Sequence, residues 1–138
     1  MLFDEFVTKM EEKTGISPLK FNEEGVILLG FTQDAAQYEA SIEKTEDDAE
    51  ITLYAKVGAL PRKNREACMK AMLEANLFTH DLKEATLGVD KTTEEIYLSR
   101  VFSLESTDFD AFYKAFENFL EVEVTWIKLL NDNSLEWQ

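Results

Sequence analysis

The sequence predicts an α+β fold: a twisted antiparallel β-sheet packed with three α-helices, in the order α-β-β-β-α-β-β-α. Three observations predict it. Apolar residues recur at helical spacing near residues 2–14, 60–78 and 108–130. The segments between them alternate apolar and polar residues with period two. Those segments are joined by short polar turns rather than long crossovers, which argues against a parallel, doubly wound sheet. The 138 residues fit one domain, 1–138, and a chain of that length buries about two thirds of its unfolded surface without a disulfide or metal staple.

The first helix is carried by Phe3, Phe6, Val7 and Met10, the i, i+3, i+4, i+7 pattern of an amphipathic helix. Gly15 ends it, and Pro18 reinforces the stop. "LKFNEEGVILLGF" reads as a strand on either side of an "NEEG" turn, with Asn22 and Gly25 supplying the turn chemistry. "AQYEASIE" then alternates: Ala36, Tyr38, Ala40 and Ile42 share one face, and Gln37, Glu39, Ser41 and Glu43 the other. Residues 50–57 repeat the pattern, with Ile51, Leu53, Ala55 and Val57 on the dry face. "KTEDD" is the polar turn between them, so an antiparallel meander is expected.

Gly58 and Pro61 mark the start of a second helix running to about Phe78. It carries two apolar stripes. Cys68, Ala71, Met72 and Ala75 form one; Met69, Leu73 and Leu77 form the other. A surface helix on a small domain needs one stripe to reach its own core, so the second is surplus. "THDLKEA" is a loop. "TLGVD" and "EIYLSRVFSL" form a hairpin through "KTTE", with Ile96, Leu98, Phe102 and Leu104 on one side and Arg100 interrupting them. The last helix opens at a capping-box-like pair, Thr107 and Asp110. Phe109, Phe112, Tyr113, Phe116, Leu120, Ile127 and Leu130 follow at near-helical spacing, with Trp126 beside them. Residues 108–130 span about 34 Å as a helix.

Composition narrows the function. With 28 acidic against 14 basic residues the net charge is -14, so the chain lacks the basic footprint of a duplex binder, and an anionic membrane would repel it. Such a charge favours solubility and basic or polar partners. Cys68 is the single cysteine and lies in an apolar helical stripe, which points to a reducing compartment and an inert thiol. "MLFDEFVTKMEEKTG" lacks the basic opening of a signal peptide, and no stretch nears the ~20 apolar residues of a membrane span. A cytoplasmic protein with no membrane insertion is expected.

Catalytic signatures are lacking. His80, the single histidine, falls where the second helix ends, a place that suits a cation at a helix C-terminus. Zinc wants several Cys and His, and there is one of each. The carboxylate pairs Asp47–Asp48, Glu94–Glu95 and Glu11–Glu12 do not follow the spaced acidic pattern of a calcium loop. The glycines at 15, 25, 30, 58 and 88 are too scattered for a phosphate loop. The expectation is a protein that is not an enzyme and takes no cofactor or metal. "VILLGF" at 26–31 is apolar on both faces, and Leu2 and Phe3 lie near a chain end; with the surplus helical stripe they suggest apolar surface kept for other chains.

One block carries a resemblance. Leu53, Tyr54, Val57, Gly58, Leu60 and Pro61, followed by Leu73, Glu74, Ala75, Asn76, Leu77 and Phe78, together with the "LGVD" hairpin and "FENFLEVEVTWIKLL", resemble the class I chaperones of bacterial type III secretion, the Tir-chaperone-like family. The resemblance covers roughly residues 1–130. Two loops depart from the family pattern: "DLKE" precedes Thr86 where glycines are frequent, and "KTTEE" lacks a frequent glycine. The resemblance implies a secretion-chaperone-like homodimer in the bacterial cytoplasm with the second helix at its two-fold interface. Met69, Met72, Leu73 and Asn76 are the expected dimer residues. It further implies binding, without ATP, of the N-terminal chaperone-binding segment of one or more secreted effectors, held largely extended. Phe3, Phe6, Val7, Met10, Val26, Leu28 and Phe31 are the expected effector-binding residues. The alternatives are a regulatory or adaptor module of the same fold and a small ligand-binding or enzymatic α+β domain.

Overall fold

The computed structural model describes residues 1–132. The elements run α1 (Phe3–Thr14), β1 (Val26–Gln33), β2 (Ala36–Lys44), β3 (Glu50–Ala59), α2 (Arg65–Asn76), a 3-10 turn (Leu77–Thr79), β4 (Thr86–Val89), β5 (Glu95–Ser103) and α3 (Phe109–Leu130). The strands form one five-stranded sheet in the order β1-β2-β3-β5-β4, so β1 and β4 are its edges. The expected element order is the observed one. By contacts the chain divides into two compact units, Met1–Leu53 with Val101–Phe116, and Tyr54–Arg100 with the chain from Glu117 onward.

In the first unit α1 buries Phe6 and Met10 completely. Gly15 ends it at φ 72, donating its N–H to Glu11 O, a left-handed position that glycine fills without strain. The strand expected at Leu19–Phe21 does not form. The Leu19 N–H is taken by the Glu11 carboxylate at 2.8 Å, and the Phe21 ring meets Phe3 edge-on at 5.0 Å, so this stretch packs on α1 instead of pairing. The turn after it is as expected: Gly25 donates to Asn22 O, and Asn22 Oδ1 accepts the Glu24 and Val26 N–H groups. β1 and β2 pair antiparallel from Val26↔Glu43 to Gln33↔Ala36. Asp34 and Ala35 connect them at φ 52 and 65, the two positive values that a two-residue hairpin turn requires.

The core of this unit is aromatic. Phe112 of α3, 1% exposed, meets Phe6 and Phe102 edge-on, both at 5.0 Å. Phe109 and Phe116 extend the cluster along α3. Edge-on rings put a positive edge against a negative face, which adds about 0.5–1.5 kcal/mol per pair to the area buried. The α3 cap is Asp108, not Thr107 with Asp110. Its carboxylate accepts the Ala111 N–H at 2.9 Å, which satisfies one of the helix's unpaired first-turn donors.

In the second unit Ala55, Val57, Leu60, Leu87, Ile96 and Leu98 are buried, with Phe119, Val122, Val124 and Trp126 of α3. α2 begins at Arg65, later than Gly58 and Pro61 suggest. Gly58 lies inside β3, where an added Cβ would sit 3.0 Å from Leu130 Cδ1, and Asn64 at φ 55 turns the chain into the helix. Cys68, Met72 and Ala75 are the buried stripe of α2. Arg100, the interruption in β5, is accommodated by an ion pair with Glu84 at 2.9 Å. Buried Glu123, 1% exposed, stands on the apolar side of α3 and was not foreseen.

Phe112→Ala should cost about 3–5 kcal/mol in urea unfolding, as expected for a large ring removed from a filled core. Asp108→Ala should cost about 1 kcal/mol, the value of a lost helix cap. Equal costs for the two would contradict the packing described.

Candidate protein-binding site

Both sheet edges are defined by which backbone groups point away from the neighbouring strand. In an antiparallel pair, residues alternate between bonding the partner strand and facing away from it. Lys44 donates to Gly25 O at 2.8 Å, so in the observed register Ile27, Leu29, Phe31 and Gln33 bond to β2. Leu28, Gly30 and Thr32 therefore present their N–H and C=O groups outward, and among the described residues no strand lies on that side. Leu28 is also 58% exposed. β1 is an open edge with an apolar side chain on it.

At the other edge, Asp90 donates to Glu95 O, so Leu87 and Val89 are the outward-facing residues of β4. Here the outward groups of Leu87 are occupied. The Asn76 side chain accepts the Leu87 N–H at 2.8 Å and donates to Leu87 O at 2.9 Å.

The expected effector-binding residues separate into two sets. Phe6 and Met10 are fully buried core. Phe3, Val7, Val26 and Phe31 are half-buried, and Leu28 is exposed. Phe3 is held between Phe21 and the Lys44 ammonium, 5.4 Å from its ring centre, and Phe31 stacks on Tyr38 at 5.5 Å. The expected dimer residues also separate. Met72 is buried and Asn76 is engaged with β4, whereas Met69 and Leu73 are exposed, Leu73 at 70%. The surplus stripe continues past the end of α2 into Leu77 and Phe78, 63% and 77% exposed. Phe78 sits at φ 60, ψ 4, a left-handed conformation uncommon for an aromatic residue. Leu77 was on the stripe read from sequence; Phe78 falls outside its periodicity because the helix has by then given way to the 3-10 turn.

The titratable groups do turn chemistry. Hydrogen bonds from the Thr93 and Thr92 backbone N–H groups hold the Asp90 carboxyl below its usual range, and the Thr45 hydroxyl followed by the Ala49 N–H does the same for Asp47. Burial pushes the Cys68 thiol up. His80 is exposed in the turns after the 3-10 helix, its carbonyl accepting the Lys83 N–H at 3.3 Å. Among the described residues no group of three or more His, Cys, Asp and Glu is arranged to hold a metal ion, and no helix is long and apolar enough to cross a membrane.

A five-stranded antiparallel sheet with three helices in this order is the fold of the type III secretion chaperones. The chain resembles the crystal structure of the ExsC–ExsE complex at TM-score 0.72 and 18% identity, covering 92% of each chain. It resembles the ExoU–SpcU complex of Pseudomonas aeruginosa at TM-score 0.68 and 17% identity, covering 91% of this chain and 95% of that one. The Yersinia pestis chaperone SycH, solved with a fragment of YscM2, matches at TM-score 0.65 and 15% identity, over 90% and 98% of the two chains. No curated protein matches the chain in sequence. The model of the Tir chaperone protein (CesT) family matches residues 5–127, and the chain belongs to that family. Membership of that family makes it a chaperone of the Tir-chaperone type.

The buried thiol gives a direct check on the inert reading of Cys68. A thiol-specific disulfide reagent should leave the native protein unlabelled and label one equivalent after denaturation. Rapid labelling of the native protein would contradict it. The turn carboxylates set a pH dependence: a depressed carboxyl stabilises the fold above its unfolded value and loses that contribution as pH falls. Asp90→Asn should therefore flatten part of the stability loss seen below about pH 3.8, measured by thermal unfolding across pH.

Proposed function

We propose that the chain is a homodimeric, non-catalytic chaperone of the bacterial cytoplasm that holds the N-terminal segment of a secreted effector in extended form, chiefly by adding a strand of it to β1. The observation that carries this reading is the open β1 edge with Leu28 exposed beside it. A strand docking there bonds the outward groups of Leu28, Gly30 and Thr32, and its alternate side chains gain apolar contact with Leu28. Gly30 leaves the centre of the edge without a side chain, which suits close approach of another backbone. Main-chain bonds are indifferent to sequence, so affinity comes from the edge and selectivity from the apolar contacts. Ordering a disordered segment costs conformational entropy, so the contact extends beyond one strand. No step makes or breaks a covalent bond, and none needs ATP. The similar structures, each a complex with a second protein, support a protein client.

The dimer face in this reading is the exposed stripe of Met69, Leu73, Leu77 and Phe78. This reading leaves Met72 and Asn76 out of the face, since the first is buried and the second bonds Leu87. A two-fold contact lets one stripe cover its own copy, which hides apolar surface that a monomer would leave wet.

Leu28→Lys should weaken binding of a co-purifying client at least tenfold in titration calorimetry and leave the unfolding temperature within a few degrees. Unchanged affinity would remove β1 from the site. Leu73→Glu should halve the mass seen by light scattering while the circular dichroism spectrum is retained; a mass unchanged from the parent would sink the assignment of this stripe.

A further inference from the structure

An open sheet offers two edges, and a chaperone that binds by strand addition must settle which one accepts. Among the described residues the β1 edge is unpaired at Leu28, Gly30 and Thr32. The β4 edge is treated differently. Its strand is short, with outward groups at Leu87 and Val89 only. Leu87 is engaged twice by one side chain, at 2.8 Å through its N–H and at 2.9 Å through its carbonyl. A primary amide offers the same donor and acceptor as a peptide unit, so Asn76 stands where the next strand's backbone would stand. It is the last residue of α2, which packs on β4 and brings the amide to the edge.

We propose that Asn76 is an edge cap, closing β4 to strand addition and thereby leaving β1 as the edge on which an incoming strand pairs. The occupant it excludes is an extended segment, whether of the client or of a second copy of this chain. Exposed edges with apolar neighbours invite such pairing, and Val89 on this edge is 40% exposed. Naming the client as the segment directed to β1 rests on the chaperone reading; the closure of β4 does not.

Amide hydrogen exchange on the client-free protein tests the cap first. The Leu87 amide should exchange at least tenfold more slowly than those of Leu28, Gly30 and Thr32, although all four point away from their own ladders. Comparable rates would overturn the proposal. Asn76→Ala should then accelerate exchange at Leu87 at least tenfold and produce, in sedimentation velocity, species larger than the parent that grow with concentration. Adding Val89→Lys, a charge on the same edge, should remove those species. A merely structural contribution of Asn76 would lower the unfolding temperature without the new species, and that result would overturn the proposal. If the alanine variant does not fold, Asn76→Asp serves in its place. It keeps the acceptor for the Leu87 N–H and loses the donor to the carbonyl, so the large species should still form and Val89→Lys should still remove them; their absence would count against the cap. None of these readouts uses a client, so a failed cap leaves the chaperone reading standing.

Discussion

A sheet that does not close on itself must do something with the backbone groups along its two edges. That constraint organises the molecule. The interior strands β2, β3 and β5 have a neighbour on each side, and the turns that join β1 to β2 and β4 to β5 are built to keep the register: paired positive φ values at Asp34 and Ala35, and an Asp90 carboxylate accepting two backbone N–H groups. Only the edges remain. One is met by an amide side chain from α2, and the other is open beside Leu28. The asymmetry leaves β1 as the edge that the proposed function uses.

The two compact units contribute different things. The first is stiffened by rings: Phe6, Phe102 and Phe112 meet edge-on with α3 held by the Asp108 cap. It carries the open strand, so the receptive edge is attached to the part of the chain with the densest aromatic packing. The second carries α2, whose buried stripe of Cys68, Met72 and Ala75 uses one side of the helix and leaves Leu73 exposed on another. A helix of this kind serves its own core and still leaves apolar surface exposed.

Much of this was legible in the sequence, because it depends on local periodicity. The alternation at Ile51, Leu53, Ala55 and Val57 gave a buried face, and the two stripes of α2 were separable by spacing alone. What was not legible depended on partners distant in the chain. "LKF" has the composition of a strand, but a carboxylate from α1 takes the Leu19 N–H. Thr107 and Asp108 are both good caps by type, and the backbone geometry chose Asp108. Phe6 and Met10 look like any exposed amphipathic face until the ring cluster covering Phe6 is known. Asn76 was expected at the dimer interface from the family resemblance, and its hydrogen bonds to Leu87 cannot be inferred from spacing. Turn chemistry and faces are sequence properties, whereas which polar groups meet is a property of the fold.

The central claim is that a client strand pairs on β1. Amide exchange of the isotopically labelled protein, free and saturated with the N-terminal segment of the protein that co-purifies with it, tests this most directly. The account predicts that Leu28, Gly30 and Thr32 slow at least tenfold on binding, while Leu87 keeps the rate it has in the free protein. Protection that appears at other sites and leaves those three amides unchanged would contradict it.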